Sequence, residues 1–392
     1  MEDHSALTQL ALLLAAAFLG GALLQRLRQP VLVGYILVGF VLGPSVLGVV
    51  HDQEQIKTLA GLGILILLFI VGMELDLKKF APVYKAAIIV TLSQIVIGVG
   101  AMFALGLLFD WSLARILLLG FAVSLSSTAV AIKLLQDMRE LNTTLGRAAI
   151  GILIAQDIAV IPMLLIIGAM SGDSFNILQI PKIILALGFM AGLIVILNRK
   201  PEWFSKLVDF VPQENQTAVT AMAICFSAAA LAGLAGLSAA YGAFLAGLVI
   251  GNTTKRSTYE ENILPIFEVL MMVFFLSIGL LIDLDFLIEK FTQVFSLLII
   301  AMTLKTIINI TILKWLGFSR RNSFVIGAAL GQVGEFSFIL AALGLASGAI
   351  MPDGYKYVVS IIALSLVITP VWLYAVRRMN LLRRRRTRKK VI

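Results

Sequence analysis

Apolar runs of about 20 residues, separated by short polar segments, recur along almost the whole chain, and a run of that length crosses a bilayer as one helix. They fall at roughly 5–25, 31–48, 55–75, 84–109, 112–135, 145–170, 178–198, 215–236, 238–251, 262–282, 291–314, 322–347 and 355–376. The pattern predicts an all-α polytopic membrane protein of about thirteen spans, the ninth being the shortest. The first run follows the acidic lead Met1-Glu2-Asp3 and shows no cleavage-site pattern, so it is expected to stay as a helix and not to leave as a signal peptide.

Polar residues inside these runs are the informative exceptions. Gln156 and Asp157 sit together in the middle of the sixth run, and Lys305 and Glu335 lie deep in the eleventh and twelfth. Asp157 is 12 residues into its span and Lys305 is 14 into its own, which at about 1.5 Å per residue places both near mid-membrane. An ionisable group at that depth is costly, so it marks an ion or proton site with a partner in the bundle. Lys305 shares a helix face with Asn309, four residues on. The amide oxygen of Gln156 is expected to coordinate a dehydrated cation beside the Asp157 carboxylate, and Pro162 leaves the carbonyl of Ile158 without its helical donor. A structural ion pair of Lys305 with Asp157 or Glu335 is the inert alternative.

The chain also repeats itself. Residues 68–76 match 275–283 at an offset of 207, with Gly72 over Gly279 and Asp76 over Asp283; residues 38–43 match 246–251 at 208, and Pro162 falls on Pro370. Spans three and ten, two and nine, and six and thirteen therefore correspond. Seven spans separate each pair, so the copies lie in opposite orientations. Repeat one covers 5–170, a linking helix 178–198 and repeat two 215–376. Inverted repeats are an architecture of secondary transporters, whose substrate sits near the midplane on interrupted helices. The 207 offset also sets Gly120 to Thr128 over Gly327 to Glu335, two small, polar stretches halfway through spans five and twelve. The helices are expected to break in both stretches, with Gly331, Gly334 and Pro162 as helix-break residues and Ser126, Ser127 and Thr128 joining Asp157 and Gln156 as ion- and proton-binding groups. Opposed half-helix ends then carry partial charges of both signs, the positive ones compensated by Glu335 and the negative ones by Lys305. Close helix packing by small residues is the plainer alternative.

Composition agrees with the pattern: 60% of residues are hydrophobic and 14% charged, and mean hydropathy is +1.01. Twenty-five of the 31 Lys and Arg residues fall on one side of the alternating loops, five on the other, and Lys305 alone lies in the membrane. The positive-inside bias places the N-terminus outside and the C-terminus in the cytoplasm. The net charge of +9 does not indicate nucleic-acid binding, because residues 377–392 alone hold nine basic and no acidic side chains. Directly after a span, that basic cytoplasmic tail reads as an anchor for anionic lipid. The single Cys225 excludes an intramolecular disulfide, and two histidines, His4 and His51, are too few for a His-based metal cluster. No H-E-x-x-H or G-x-S-x-G is present, so an enzyme is not expected and no cofactor is implied. Asp76, Asp283 and Asp285 are expected as solvated charges at span ends, with Glu74 near the cytoplasmic mouth of span three.

The run Ala155-Gln156-Asp157-Ile158-Ala159-Val160-Ile161-Pro162, with Leu125-Ser126-Ser127-Thr128-Ala129, Gly331-Gln332-Val333-Gly334-Glu335-Phe336-Ser337-Phe338 and Lys305-Thr306-Ile307-Ile308, resembles the membrane domain of Kef-type potassium:proton antiporters. These belong to the second superfamily of monovalent cation:proton antiporters. The resemblance runs from Gln9 to about Arg378. It implies thirteen helices with crossed, discontinuous helices five and twelve, an ion-carrying Asp157, a supporting Lys305, and a homodimer working by an elevator-like movement in a bacterial inner membrane. Kef-type proteins usually continue into a cytoplasmic nucleotide-binding domain, whereas this chain stops at Ile392 without a G-x-G-x-x-G fingerprint. Control by nucleotide or glutathione is therefore not carried over, and a separate regulatory domain or subunit is an open partner.

One carboxylate suffices for exchange. A buried Asp157 must be protonated or paired with a cation, K⁺ or Na⁺, so the two ligands exclude each other. Gln156 carries no proton, which predicts one cation per proton and electroneutral exchange unless Lys305 also releases its proton. K⁺ over Na⁺ rests on the resemblance. Na⁺/H⁺ exchange and a channel-like K⁺ efflux module are the alternatives.

Overall fold

The computed structural model describes residues 2–27, 30–49, 53–74, 84–140, 143–171, 174–175, 180–199, 217–253 and 255–389. Among them are sixteen helices: α1 (Glu2–Arg26), α2 (Val31–Leu42), α3 (Gln53–Glu74), α4 (Tyr84–Phe109), α5 (Leu113–Ser124), α6 (Thr128–Asp137), α7 (Thr144–Gly168), α8 (Ile180–Arg199), α9 (Thr217–Leu234), α10 (Ala239–Gly251), α11 (Arg256–Leu280), α12 (Leu284–Glu289), α13 (Phe291–Trp315), α14 (Arg320–Ala329), α15 (Phe336–Ala346) and α16 (Pro352–Lys389). The one pairing of strands among the described residues is two residues long, Met170–Ser171 against Ser174–Phe175. Each of the thirteen predicted spans holds a helix among the described residues. Among these residues five helices are long and apolar enough to cross a membrane uninterrupted: α4, α7, α9, α11 and α13. Span five is split into α5 and α6 and span twelve into α14 and α15, at the predicted stretches.

One expectation needs correction here. α7 runs unbroken through Pro162, which is therefore not a helix break; one missing backbone bond is tolerated inside a membrane helix where neighbours re-satisfy the freed group. α16 continues from the last span through residue 370 to Lys389, and Arg, Lys and Leu are good helix formers. Asp76 and residues 390–392 lie outside the described residues.

The chain separates into two compact units. The first comprises 1–23, 34–82 and 161–281, and the second 24–33, 83–160 and 282–392. Each draws on both repeats: the first holds most of α1 to α3 and α9 to α11 with the linking α8, the second α4 to α6, most of α7 and α12 to α16. Equivalent helices start at the repeat offset, α4 and α13 at Tyr84 and Phe291, α7 and α16 at Thr144 and Pro352.

In the first unit the repeat reappears as packing. A Cβ on Gly39 would strike Leu276 and Gly279 of α11, and one on Gly279 would strike Ile36 and Gly39 of α2. The repeat-related pair does the same, Gly247 of α10 against Phe69 of α3 and Gly72 against Phe244 and Gly247. Small residues let these backbones touch, which is how membrane helices associate when hydrocarbon offers no hydrophobic drive. Around that contact a core of Ile66, Phe69, Met73, Cys225, Ile250 and Tyr259 is fully enclosed. At the end of α3, Arg256 donates to the carbonyl of Glu74 at 3.3 Å and pairs with Glu260.

In the second unit Asp283 does more than solvate a loop. Its carboxylate caps α12 by accepting from the Phe286 N–H at 3.0 Å and pairs with Lys356 at 2.7 Å. The hydrogen bond from Lys356 and then the Phe286 N–H hold this carboxyl below the usual aspartate range.

Gly247→Val should force α10 from α3 and cost about 1–3 kcal/mol, read as a lower melting temperature in detergent. Gly100→Ala on α4, where an added Cβ meets nothing within 4 Å, should be neutral or stabilising by up to about 1 kcal/mol. Equal melting temperatures would refute the close contact. The charged form of Asp283 is favoured in the fold, so its contribution is present above the unfolded aspartate value, about pH 4, and is lost as pH falls through the lowered folded value. Wild type and Asp283→Asn should differ in melting temperature at pH 7 and converge in acid; a difference independent of pH would contradict the pair.

Candidate functional site

A helix broken in hydrocarbon exposes backbone N–H and C=O groups that cost several kcal/mol each if left unsatisfied. In the second unit the two breaks, 125–127 and 330–335, lie against each other and satisfy one another. The Gly334 N–H donates to the Leu125 carbonyl at 3.0 Å, and the Ser126 hydroxyl donates to the Leu330 carbonyl at 2.9 Å. A Cβ on Gly334 would come within 2.7 Å of the Ser126 carbonyl carbon, so only glycine allows this approach. Gln332 spans the gap in both directions: its amide oxygen accepts from the Ser127 N–H at 2.8 Å and its NH₂ donates to the Ser127 carbonyl at 3.1 Å.

Lys305, 2% exposed on α13, points into this crossing. Its ammonium donates to the carbonyls of Leu125 and, at 2.8 Å, Gln332. Those carbonyls follow the C-terminal ends of α5 and α14, where the helix dipoles are negative. Glu335 occupies the N-cap position of α15, is 4% exposed and makes no side-chain capping hydrogen bond there.

Asp157, 7% exposed, projects from the unbroken α7 beside the first break. Thr128, the first residue of α6, donates its hydroxyl to Asp157 Oδ2 at 3.1 Å. Of the hydroxyls singled out in the sequence, Thr128 is the one shown on the carboxylate. The Ser127 hydroxyl caps α6 by accepting from the Val130 N–H, and that of Ser126 is spent on Leu330.

Gln156 differs from its expected place. Its amide oxygen accepts from the Ser126 N–H at 2.9 Å and its NH₂ donates to Gln94 at 2.7 Å. The physical reason is the break itself: the freed Ser126 N–H needs an acceptor in a site that is 1% exposed at each of these two residues. Gln156 therefore clamps the crossing, and the amide oxygen expected on the cation is held by backbone.

Comparison across the repeats shows where the two halves diverge. Ser126 and Val333 are equivalent at an offset of 207. The first N–H is met by Gln156 and the second by the Ser365 hydroxyl at 3.1 Å. Ser365 is the counterpart of Asp157 at 208, and Gly98 is the counterpart of Lys305 at 207. Repeat one supplies the carboxylate and repeat two the cation. Sequence reasoning missed Gln94, Gln332 and Ser365. A signal existed for the first, since Gln94 is the single amide side chain of an apolar run and lies mid-way along it, and for the last in its repeat relation to Asp157.

The chain is similar to known proteins along most of its length. The family described as Sodium/hydrogen exchanger, transmembrane, matches residues 14–376. The chain is 41% identical over 377 residues to the iron transporter MagA of Paramagnetospirillum magneticum, covering 96% of this chain and 87% of that protein. It is 32% identical to K(+) efflux antiporter 6 of Arabidopsis thaliana and 30% identical to the glutathione-regulated potassium-efflux system protein KefC of Salmonella schwarzengrund. Those matches cover 94% and 97% of this chain but 63% and 62% of the relatives, so it spans under two thirds of their length. The structure of the sodium proton antiporter MjNhaP1 from Methanocaldococcus jannaschii superposes with a TM-score of 0.72 at 17% identity, over 96% of this chain and 98% of that one, which shows a shared fold. With paired helix breaks, a buried carboxylate beside them and a family match along nearly its whole length, the chain belongs to the transmembrane sodium/hydrogen exchanger family of cation:proton antiporters, with Kef-type potassium-efflux proteins among its homologues.

Proposed function

We propose that this protein exchanges K⁺ for H⁺, with the two ions competing for Asp157. The observation that carries the reading is the carboxylate itself, 7% exposed on a continuous helix beside the crossing. Burial disfavours a bare charge, so the group holds a proton or a cation and never neither. Thr128 supplies an oxygen beside it, and a cation bound there has the carboxylate as its counter-charge. Lys305 is given to the carbonyls at the helix ends, and Asp157 as the single exchanging carboxylate gives one cation per proton. Exchange of that stoichiometry moves no net charge and is blind to membrane potential.

Potassium is favoured over sodium by the Kef-type relatives named for potassium efflux. The iron transport named for MagA finds less support in the side chains: among the described residues no group of three or more His, Cys, Asp and Glu could hold a metal ion. A hard-oxygen site with one carboxylate suits a monovalent ion, whereas iron takes several nitrogen, sulfur or carboxylate ligands. The same reading places the protein in a bacterial inner membrane, N-terminus outside and C-terminus in the cytoplasm, as a homodimer with its basic tail on anionic lipid.

In proteoliposomes of purified protein, adding K⁺ should move protons, Na⁺ less so and Fe²⁺ not at all, with the same rate whether or not the membrane potential is clamped. Asp157→Asn should reduce proton movement to the level of empty vesicles. Flux that survives the substitution, or K⁺ flux without protons, would show Asp157 to be structural and favour a channel. Thr128→Val removes a hydrogen bond to a charged group, worth about 1.5–3 kcal/mol, and should raise the K⁺ concentration for half-maximal exchange at least about tenfold; an unchanged K⁺ dependence would remove the hydroxyl from the site.

A further inference from the structure

Gln94 lies on α4, 2% exposed, in a position that no ion-site argument requires. Both ends of its amide are used. The oxygen accepts from the Gln156 NH₂ at 2.7 Å, and the NH₂ donates to Asn309 Oδ1 at 2.5 Å. The series extends at each end. Gln156 accepts from the Ser126 N–H at 2.9 Å, and the Asn309 NH₂ donates to the Leu330 carbonyl at 3.3 Å. Three side-chain amides, from α7, α4 and α13, thus run in one direction from a backbone N–H freed in one break to a backbone C=O freed in the other. Reversing any one amide would set oxygen against oxygen on one side and NH₂ against NH₂ on the other. The orientation of all three is therefore dictated by the two helix breaks.

The arrangement exists on one side of the site only. At the repeat offset of 207 the counterpart of Gln94 is Ala301 and that of Asn309 is Met102. Apolar side chains fill those repeat-related places, and on that side of the crossing Ser365 meets the freed Val333 N–H directly. Packing alone does not call for buried amides at positions 94 and 309. Gln94 belongs to the repeat that carries Asp157 and Asn309 to the repeat that carries Lys305, and the series they form ends on Gln156, next in sequence to Asp157, and on Ser126, two residues before the Thr128 that holds Asp157. The Gln94 carbonyl also accepts from the Ser124 hydroxyl at 3.1 Å, at the end of α5.

We propose that Gln94 is a positioning residue for cation exchange: through Gln156 and Asn309 it fixes the first helix break, and with it the Thr128 hydroxyl, against the Asp157 carboxylate. The proposal rests on the reading of Asp157 as the exchange site.

The test measures the K⁺ concentration for half-maximal exchange and the pH profile of exchange in proteoliposomes, with melting temperature alongside. Gln94→Met keeps the size and loses both hydrogen bonds. It should raise the half-maximal K⁺ concentration about tenfold, the equivalent of one buried hydrogen bond, and change the maximal rate by less than about threefold. Combining it with Asn309→Leu should add little to that shift, since a series broken once is broken throughout. Gln94→Glu supplies the rescue and covers the case in which Gln94→Met does not fold. Protonated, the acid accepts from Gln156 and donates to Asn309, so the half-maximal K⁺ concentration should match wild type at low pH; ionised, it cannot donate, and the shift should appear as pH rises. The proposal is overturned if the Gln94 variants lower only melting temperature or maximal rate with K⁺ dependence and pH profile unchanged, or if the double variant is additive. Asp157→Asn, assayed in parallel, separates the two levels: exchange that survives it defeats the site reading, whereas silence there with wild-type behaviour in the Gln94 variants defeats this inference alone.

Discussion

The polar framework around the site follows from the need to satisfy backbone groups where two helices stop inside hydrocarbon. Water is absent at that depth, so each freed N–H and C=O must find a protein partner. The two breaks meet part of the demand directly, through Gly334 on Leu125 and Ser126 on Leu330. The rest falls to polar side chains that would otherwise have no reason to be buried: Lys305, Gln332, Gln156, Asn309 and Ser365. Each is costly alone and inexpensive in place, because its partner would be orphaned without it.

On the proposed reading, asymmetry turns a structural crossing into a site for ions. A perfect repeat would put the same groups on both halves and balance them. Here Asp157 faces a serine counterpart and Lys305 a glycine counterpart, so one side of the crossing gains a carboxylate and the other a cation. Lys305 is drawn to the carbonyl ends of α5 and α14, which lets it neutralise the helix dipoles. The carboxylate of Asp157 is left at the edge of the network on an unbroken helix, and Thr128 reaches it from the first turn of a half-helix. A group held at the boundary of a satisfied network can change partner without dismantling that network, which is what the proposed exchange of a proton for a cation at Asp157 requires.

In the first unit the same repeat serves packing. Gly39 and Gly279 meet, and so do Gly247 and Gly72, giving two backbone contacts related by the offset found in the sequence. Small residues that read as ambiguous in isolation, suited to a break or to a close contact, separate by context. Gly331 and Gly334 lie where the helix stops, whereas Gly39 and Gly247 sit inside continuous helices.

The sequence alone determined the helical spans, the repeat, the breaks in spans five and twelve and the burial of Asp157, Lys305 and Glu335. These depend on local hydrophobicity and on spacing, which are one-dimensional properties. What only the tertiary structure decided was the allocation of polar groups between backbone and ion. Gln156 beside Asp157 suggested a shared ligand set, yet its oxygen is claimed by Ser126, 30 residues away in sequence. The serine hydroxyls are claimed in the same way, and Pro162 leaves α7 intact. A side chain's partner is set by which freed backbone group lies within about 3 Å, and that is settled when the helices cross.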